Sequence, residues 1–170
     1  NTTNMKLSEK KEPETKEEKG NQLCHSLSNG AMNNIHRIQD LQLAEIEMSQ
    51  IYDIKKVLAE GCYARVLLAN HKNTESNVVL KAIYAELTPI KDFYREYHYS
   101  YHLSPHPNIL DSYNVSFKCD NCYVFAQEYA PYGDLAGHVK LGGLSESVCK
   151  LIGNQLSSAL DFMHSKELVH

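Results

Sequence analysis

Val78-Val79-Leu80-Lys81-Ala82-Ile83 is the stretch whose reading decides the fold. Apolar residues flank a single lysine, and their β-branched content marks a strand buried on both faces. A lysine in such a strand has two outlets. Its stem can pack while its head snorkels to water, or its ammonium can meet an anion, because an unpaired buried charge is costly. The neighbouring elements bear on which anion that is.

Working outward, Tyr52–Leu58 alternates loosely, and Ala59-Glu60-Gly61-Cys62-Tyr63 makes a tight connection into a second strand, Arg65–Ala69. Residues 70–77 form a polar turn, and the Lys81 strand follows. Three consecutive strands with short connections predict an antiparallel meander. Pro89 sits where helix N-termini tolerate proline. Ile90–Leu103 then reads as a helix, stopped by Ser104-Pro105-His106-Pro107. Asp111–Phe117 and Cys122–Glu128 read as a hairpin joined at 118–121. Pro131-Tyr132-Gly133 breaks the chain, and a short helix is expected over 134–139. Ser145 is the N-cap of the longest helix, whose apolar stripe is Val148, Leu151, Ile152, Leu156, Ala159, Leu160 and Met163. Leu168-Val169 opens a further strand.

Upstream of these elements, residues 1–33 hold few large apolar side chains and mix lysine with glutamate. Such a segment buries too little to offset chain entropy and is expected to be a disordered charged leader. Ile35, Ile38, Leu41, Ala44 and Met48 recur at three- and four-residue steps, which predicts an amphipathic lead-in helix over 34–50.

The 170 residues suffice for one domain with a core, and the formal net charge of -4 argues against a nucleic-acid partner. No apolar run reaches the ~20 residues of a membrane span, so no membrane association is expected. Five scattered cysteines without an export signal point to reduced thiols in the cytosol or nucleus, and a cytoplasmic location is expected.

Several residues could carry chemistry. Around Gly61 the frame is Ala59-x-Gly61-x-x-Ala64-x-Val66. A strand-turn-strand lying over phosphates needs small residues so that backbone N–H groups can approach the anion; an ordinary hairpin uses the same residues. Glu96, near the middle of the first long helix, could pair with Lys81 or lie exposed. Cys122–Glu128 is an apolar strand that leaves its sheet through Tyr129-Ala130-Pro131, where backbone groups could read a base edge. Asp134 heads the next short helix and could reach a ribose hydroxyl. His98 and His102 share a helix face, and Cys119-Asp120-Asn121-Cys122 resembles half a zinc knuckle. Neither has the further ligands a metal site needs, so no metal site is expected.

Taken in this order, these elements resemble a protein kinase. The stretches Cys122–Leu135 and Leu160–His170 resemble the SH3-domain-binding serine/threonine kinase family, including its insect members, over about Ile51 to His170. The resemblance implies an α+β fold: a kinase N-lobe over 51–129, with a five-stranded antiparallel sheet and one helix, then a hinge and an incomplete helical C-lobe over 130–170. It implies that Leu58 and Val66 sandwich adenine with Ala82, and that Ala59, Gly61 and Ala64 lie over the phosphates. Lys81 would pair with Glu96 and the α/β-phosphates of ATP. Gln127 would stand at the back of the pocket, Glu128 and Ala130 would offer backbone groups to the base, and Asp134 would meet the ribose.

The implied activity is phosphoryl transfer from ATP, with Mg2+, to serine or threonine hydroxyls of protein substrates. An SH3-type partner is implied by the family alone, since no PxxP segment occurs in these residues. His170 would open the His-Arg-Asp loop. The catalytic Asp and the Mg2+ ligands would then lie beyond it, and the 170-residue chain alone is expected to be inactive. Ala59 and Ala64 replace two glycines of the family's loop, which keeps a nucleotide-binding pseudokinase or scaffold as the alternative.

Overall fold

The computed structural model describes residues 35–139 and 143–170. The chain divides into two units at His36, and the architecture below is that of the second, Arg37–His170. The expected leader over 1–33 lies outside the described residues.

Five strands form one antiparallel sheet: β1 (Tyr52–Glu60), β2 (Ala64–His71), β3 (Ser76–Tyr84), β4 (Ser112–Cys119) and β5 (Cys122–Gln127), in the order β1-β2-β3-β5-β4. The meander and the hairpin are each local, and β5 docks beside β3 to join them. The β4–β5 turn needs only Asp120 and Asn121, with Asp120 at φ 50°. Aspartate tolerates this left-handed conformation better than most residues.

The central strand β3 is buried from Val78 to Ile83 except at Lys81. Side chains alternate between sheet faces, and the alternation sorts the core into two clusters. On one face Val78, Leu80 and Ala82 pack with Tyr52, Leu67, Phe117 and Val124. On the other, Ile83 packs with Phe93, Tyr94, Tyr97 and Phe125. Lys81 faces Phe125 and Val66 across the ladders and therefore belongs to the second face.

Helix α2 (Ile90–Leu103) crosses this second face, following the short turn α1 (Met48–Ile51). Phe93 is fully buried and lies within 5.3 Å of Tyr123 and 6.1 Å of Phe125, centroid to centroid. Aromatic contacts of this kind add to the stabilisation from area burial. A 3-10 turn covers Ala136–His138, shorter than the helix expected over 134–139. Helix α3 (Glu146–His164) begins at Ser145, whose Oγ accepts from the Val148 N–H. His106 stacks on Phe162 of α3 at 5.0 Å. Ala159 is buried, whereas Leu151 and Leu156 are 58% and 59% exposed. No strand forms at Leu168-Val169.

The lead-in helix over 34–50 does not form. Among its described residues only Met48–Ile51 is helical, and the preceding residues run as an extended strap beside β4. The Ile46 N–H donates to the Lys118 carbonyl and the Lys118 N–H donates to the Ala44 carbonyl, both at 2.8 Å. The residues turned inward are Ile38, Leu41, Leu43, Ile46 and Met48, while Ala44 is exposed. Their steps of two and three suit an extended chain on an apolar groove. The helical reading omitted Leu43 and Ile46, and a helix could not have used the free edge of β4.

Candidate active site

Lys81 lies between Val66 of β2 and Phe125 of β5, on the sheet face that α2 covers. Its Nζ donates to Oε1 of Glu96 and forms an ion pair with it. The side chains are 30% and 40% exposed, so the pair is partly screened and still open to a ligand. Glu96 arrives there because Phe93 and Tyr97 seat the helix on the sheet.

The same face carries the rest of a slot. Val79, two residues before Lys81, pairs with Leu68 on one side and Gln127 on the other. Val66, Val79, Lys81 and Gln127 are therefore neighbours on one surface. Gln127 is half-buried, and its Nε2 donates to Ser112 Oγ at 3.1 Å. The Ser112 N–H donates to Ser104 Oγ, which in turn donates to the Ser100 carbonyl of α2. The amide of Gln127 is thus oriented by a chain of bonds that ends on the helix.

Ala82 does not belong to the slot. It is 4% exposed, sits in the opposite cluster, and helps line a groove of about 960 Å3 on the far side of the sheet. Placing it beside Lys81 overlooked the strand's period of two. By the same rule Val79 lies on the Lys81 face, and the alternation of the sequence was the signal that could have found it.

In the β1–β2 connection, Ala59 pairs with Val66, and Leu58 stands at the irregularity between Val57 and Ala59, 37% exposed. The Gly61 N–H donates to the Ala64 carbonyl at 2.9 Å. Gly61 has no left-handed φ, and a Cβ built there would meet nothing nearer than that carbonyl at 3.8 Å. Neither backbone conformation nor packing requires glycine here. The loop is also anchored to β3, where the Tyr84 N–H donates to the Tyr63 carbonyl. Glu60 accepts from both Arg65 and Tyr84.

Beyond β5 the chain becomes exposed. The Glu128 N–H donates to the Asp111 carbonyl, so a base approaching Glu128 would meet its carbonyl instead. The Glu128 carboxylate accepts from the Asp111 N–H and fixes the start of this segment. Ala130 is exposed. Asp134 Oδ1 accepts from the Gly137 N–H at 2.8 Å, which holds its carboxylate at the head of the 3-10 turn.

Among the described residues no group of three or more His, Cys, Asp or Glu side chains is placed to hold a metal ion. The His98 and His102 rings lie 4.2 Å apart. Burial, and then the neighbouring His98, lowers the pKa of His102 from its ordinary value. Four of the cysteines, Cys62, Cys119, Cys122 and Cys149, are free thiols. Burial raises both Cys119 and Cys122. No helix among the described residues is long and apolar enough to cross a membrane.

The family model described as protein kinase domain matches residues 52–170. The chain belongs to the protein kinase family. Its sheet and helices are those of a kinase N-lobe with the start of a C-lobe. It is 55% identical over 136 residues to a serine/threonine-protein kinase named meng-po from Drosophila melanogaster, covering 80% of this chain and 30% of that protein. It is 41% identical over 129 residues to serine/threonine-protein kinase SBK1 of Danio rerio, and 40% identical to that of Mus musculus. These alignments cover 75% of this chain, and 34% and 31% of those proteins. The chain spans about a third of the length of these relatives. The 136 residues aligned with the Drosophila protein exceed the length of the 52–170 match, so the similarity reaches into the strap.

Proposed function

We propose that the intact protein is an ATP-dependent serine/threonine protein kinase and that these residues form its nucleotide-placing half. Residues 51–129 would be the N-lobe, and 130–170 the hinge and the beginning of the C-lobe. The observation that carries this reading is the Lys81–Glu96 ion pair on the face bearing Val66, Val79 and Gln127.

Phosphoryl transfer asks the protein mainly for positioning and for charge at the phosphates. In this reading Val66 and Val79 lie against the adenine, and the Glu128 carbonyl and Ala130 backbone meet its edge. Leu58 and Ala59 close the slot from β1, and Asp134 takes the ribose. Lys81, held by Glu96, points its ammonium at the α/β-phosphates. Gly61 lets the loop backbone approach the phosphates, which agrees with a glycine that the fold itself does not demand.

The Mg2+ that accompanies ATP in kinases would neutralise charge on the transferring phosphates. In this reading the part of the described residues is to place the nucleotide. Protein substrates follow from the family, and an SH3-type partner from the resemblance of the sequence. A cytoplasmic location rests on the reading of the cysteines as reduced thiols.

The test is Lys81→Met in the intact protein. Phosphate incorporation into serine or threonine should be nearly abolished, and unchanged incorporation would overturn the reading. Ala59 and Ala64 favour a second reading, a nucleotide-binding pseudokinase, because each methyl crowds the phosphates. ATP binding without turnover in the intact protein would select it.

A further inference from the structure

Helix α2 is held from two sides. Glu96 faces Lys81. Tyr94, two residues earlier and so about 200° around the helix, donates its hydroxyl to the Leu41 carbonyl of the strap at 2.6 Å. Ile38, Leu41 and Leu43 of the strap pack against the cluster of Phe93, Tyr94, Tyr97, Phe125 and Ile83. The strap is itself fixed to the sheet through the Lys118 N–H and carbonyl on β4. It therefore links the far side of α2 to the edge of the sheet, and the helix cannot move away from β3 without breaking that contact.

We propose that Leu41 and Tyr94 are positioning residues for the Lys81–Glu96 pair. The strap acts as a built-in wedge that keeps Glu96 within reach of Lys81. The inference rests on the reading that this pair places the phosphates, although the wedge can be measured without nucleotide. Its chemistry is ordinary. Apolar side chains leave water against an aromatic cluster, and one hydroxyl fixes the register of strap against helix.

Two variants of the intact protein test it. Leu41→Asp places a charge against the aromatic cluster, and Tyr94→Phe removes only the hydroxyl. In Leu41→Asp without nucleotide, the α2 amides should exchange with deuterium about tenfold faster while β2 and β3 amides keep their protection. Turnover should fall about tenfold with the KM for ATP within about threefold, since orientation at the phosphates is lost and the adenine slot is kept. Leu41→Met should restore both quantities, and Tyr94→Phe should give a smaller change in the same direction. Unchanged α2 exchange in both variants would overturn the proposal. So would exchange that quickens equally through β2 and β3, because that is general unfolding. If the unsubstituted protein showed no turnover while α2 exchange still quickened in the variants, the wedge would stand and the kinase reading would fail.

Discussion

The Lys81 ammonium and the Glu96 carboxylate meet between β3 and α2, with both side chains still partly open to solvent. An ion pair in that position adds little to stability, up to about 1 kcal/mol. In the proposed kinase its value would lie in aiming a charge at the phosphates. Glu96→Gln in the intact protein should therefore lower turnover about tenfold or more, while the thermal midpoint falls by no more than about 4 °C. Parallel kinetic and melting measurements separate the two effects. A large drop in midpoint with normal turnover of the folded protein would mark the pair as structural.

Gly61 offers a test that separates fold from ligand. Its φ is accessible to any residue, and the nearest atom to a built Cβ is 3.8 Å away. Gly61→Ala should leave the fold intact and stabilise it by about 0.4–1 kcal/mol through the unfolded chain. It should weaken ATP binding severalfold while leaving adenosine binding nearly unchanged, as titration calorimetry would show. Equal losses for both ligands would place the glycine away from the phosphates.

The two faces of β3 make opposite predictions for residues three apart. Ala82 packs in the cluster with Tyr52 and Phe117. Ala82→Leu should leave nucleotide affinity of the folded protein unaltered, since the added side chain lies on the face away from Lys81. Val79→Ala should instead shift nucleotide affinity, because it reshapes the slot beside Gln127. An affinity change from Ala82→Leu with none from Val79→Ala would exchange the assigned faces.

His102 gives a pH dependence with a defined sign. Its pKa in the fold lies below the ordinary 6.5, first through burial and then through His98. The unfolded chain therefore binds the proton more readily. The His102 contribution to stability should be constant above about pH 7 and be lost as the pH drops from about 6.5 toward the lower folded value. His102→Gln should flatten that part of the profile in chemical denaturation. An unchanged slope would assign the acid loss to other groups.

Much of this architecture was legible in the sequence, for local reasons. Pro89 and the Ser104-Pro105-His106-Pro107 stop bracket helix α2, and the Val78–Ile83 run reads directly as its buried central strand. What was missed depends on tertiary context. Ile38, Leu41 and Met48 suit a helix as well as an extended chain, and only the free edge of β4 and the groove beside α2 decide between them. Lys81 and Glu96 were each ambiguous alone, since a snorkelling lysine and an exposed glutamate have the same local sequence. Ala82 was assigned to the adenine through the resemblance, whereas alternation puts it on the face opposite Lys81. Val79 was hidden in a uniformly apolar run, where both faces look alike until the partner strands are known.

In the proposed kinase Lys81 sits at the phosphates of a bound nucleotide. The most direct measurement treats the intact protein with an acyl-phosphate derivative of ATP, which acylates a lysine lying at the nucleotide's phosphates, and maps the product by mass spectrometry. Modification at Lys81 that excess ATP suppresses is expected, with exposed lysines such as Lys55, Lys56 and Lys91 labelled weakly and without ATP protection. Labelling spread over those lysines, with Lys81 unmodified or indifferent to ATP, would contradict it.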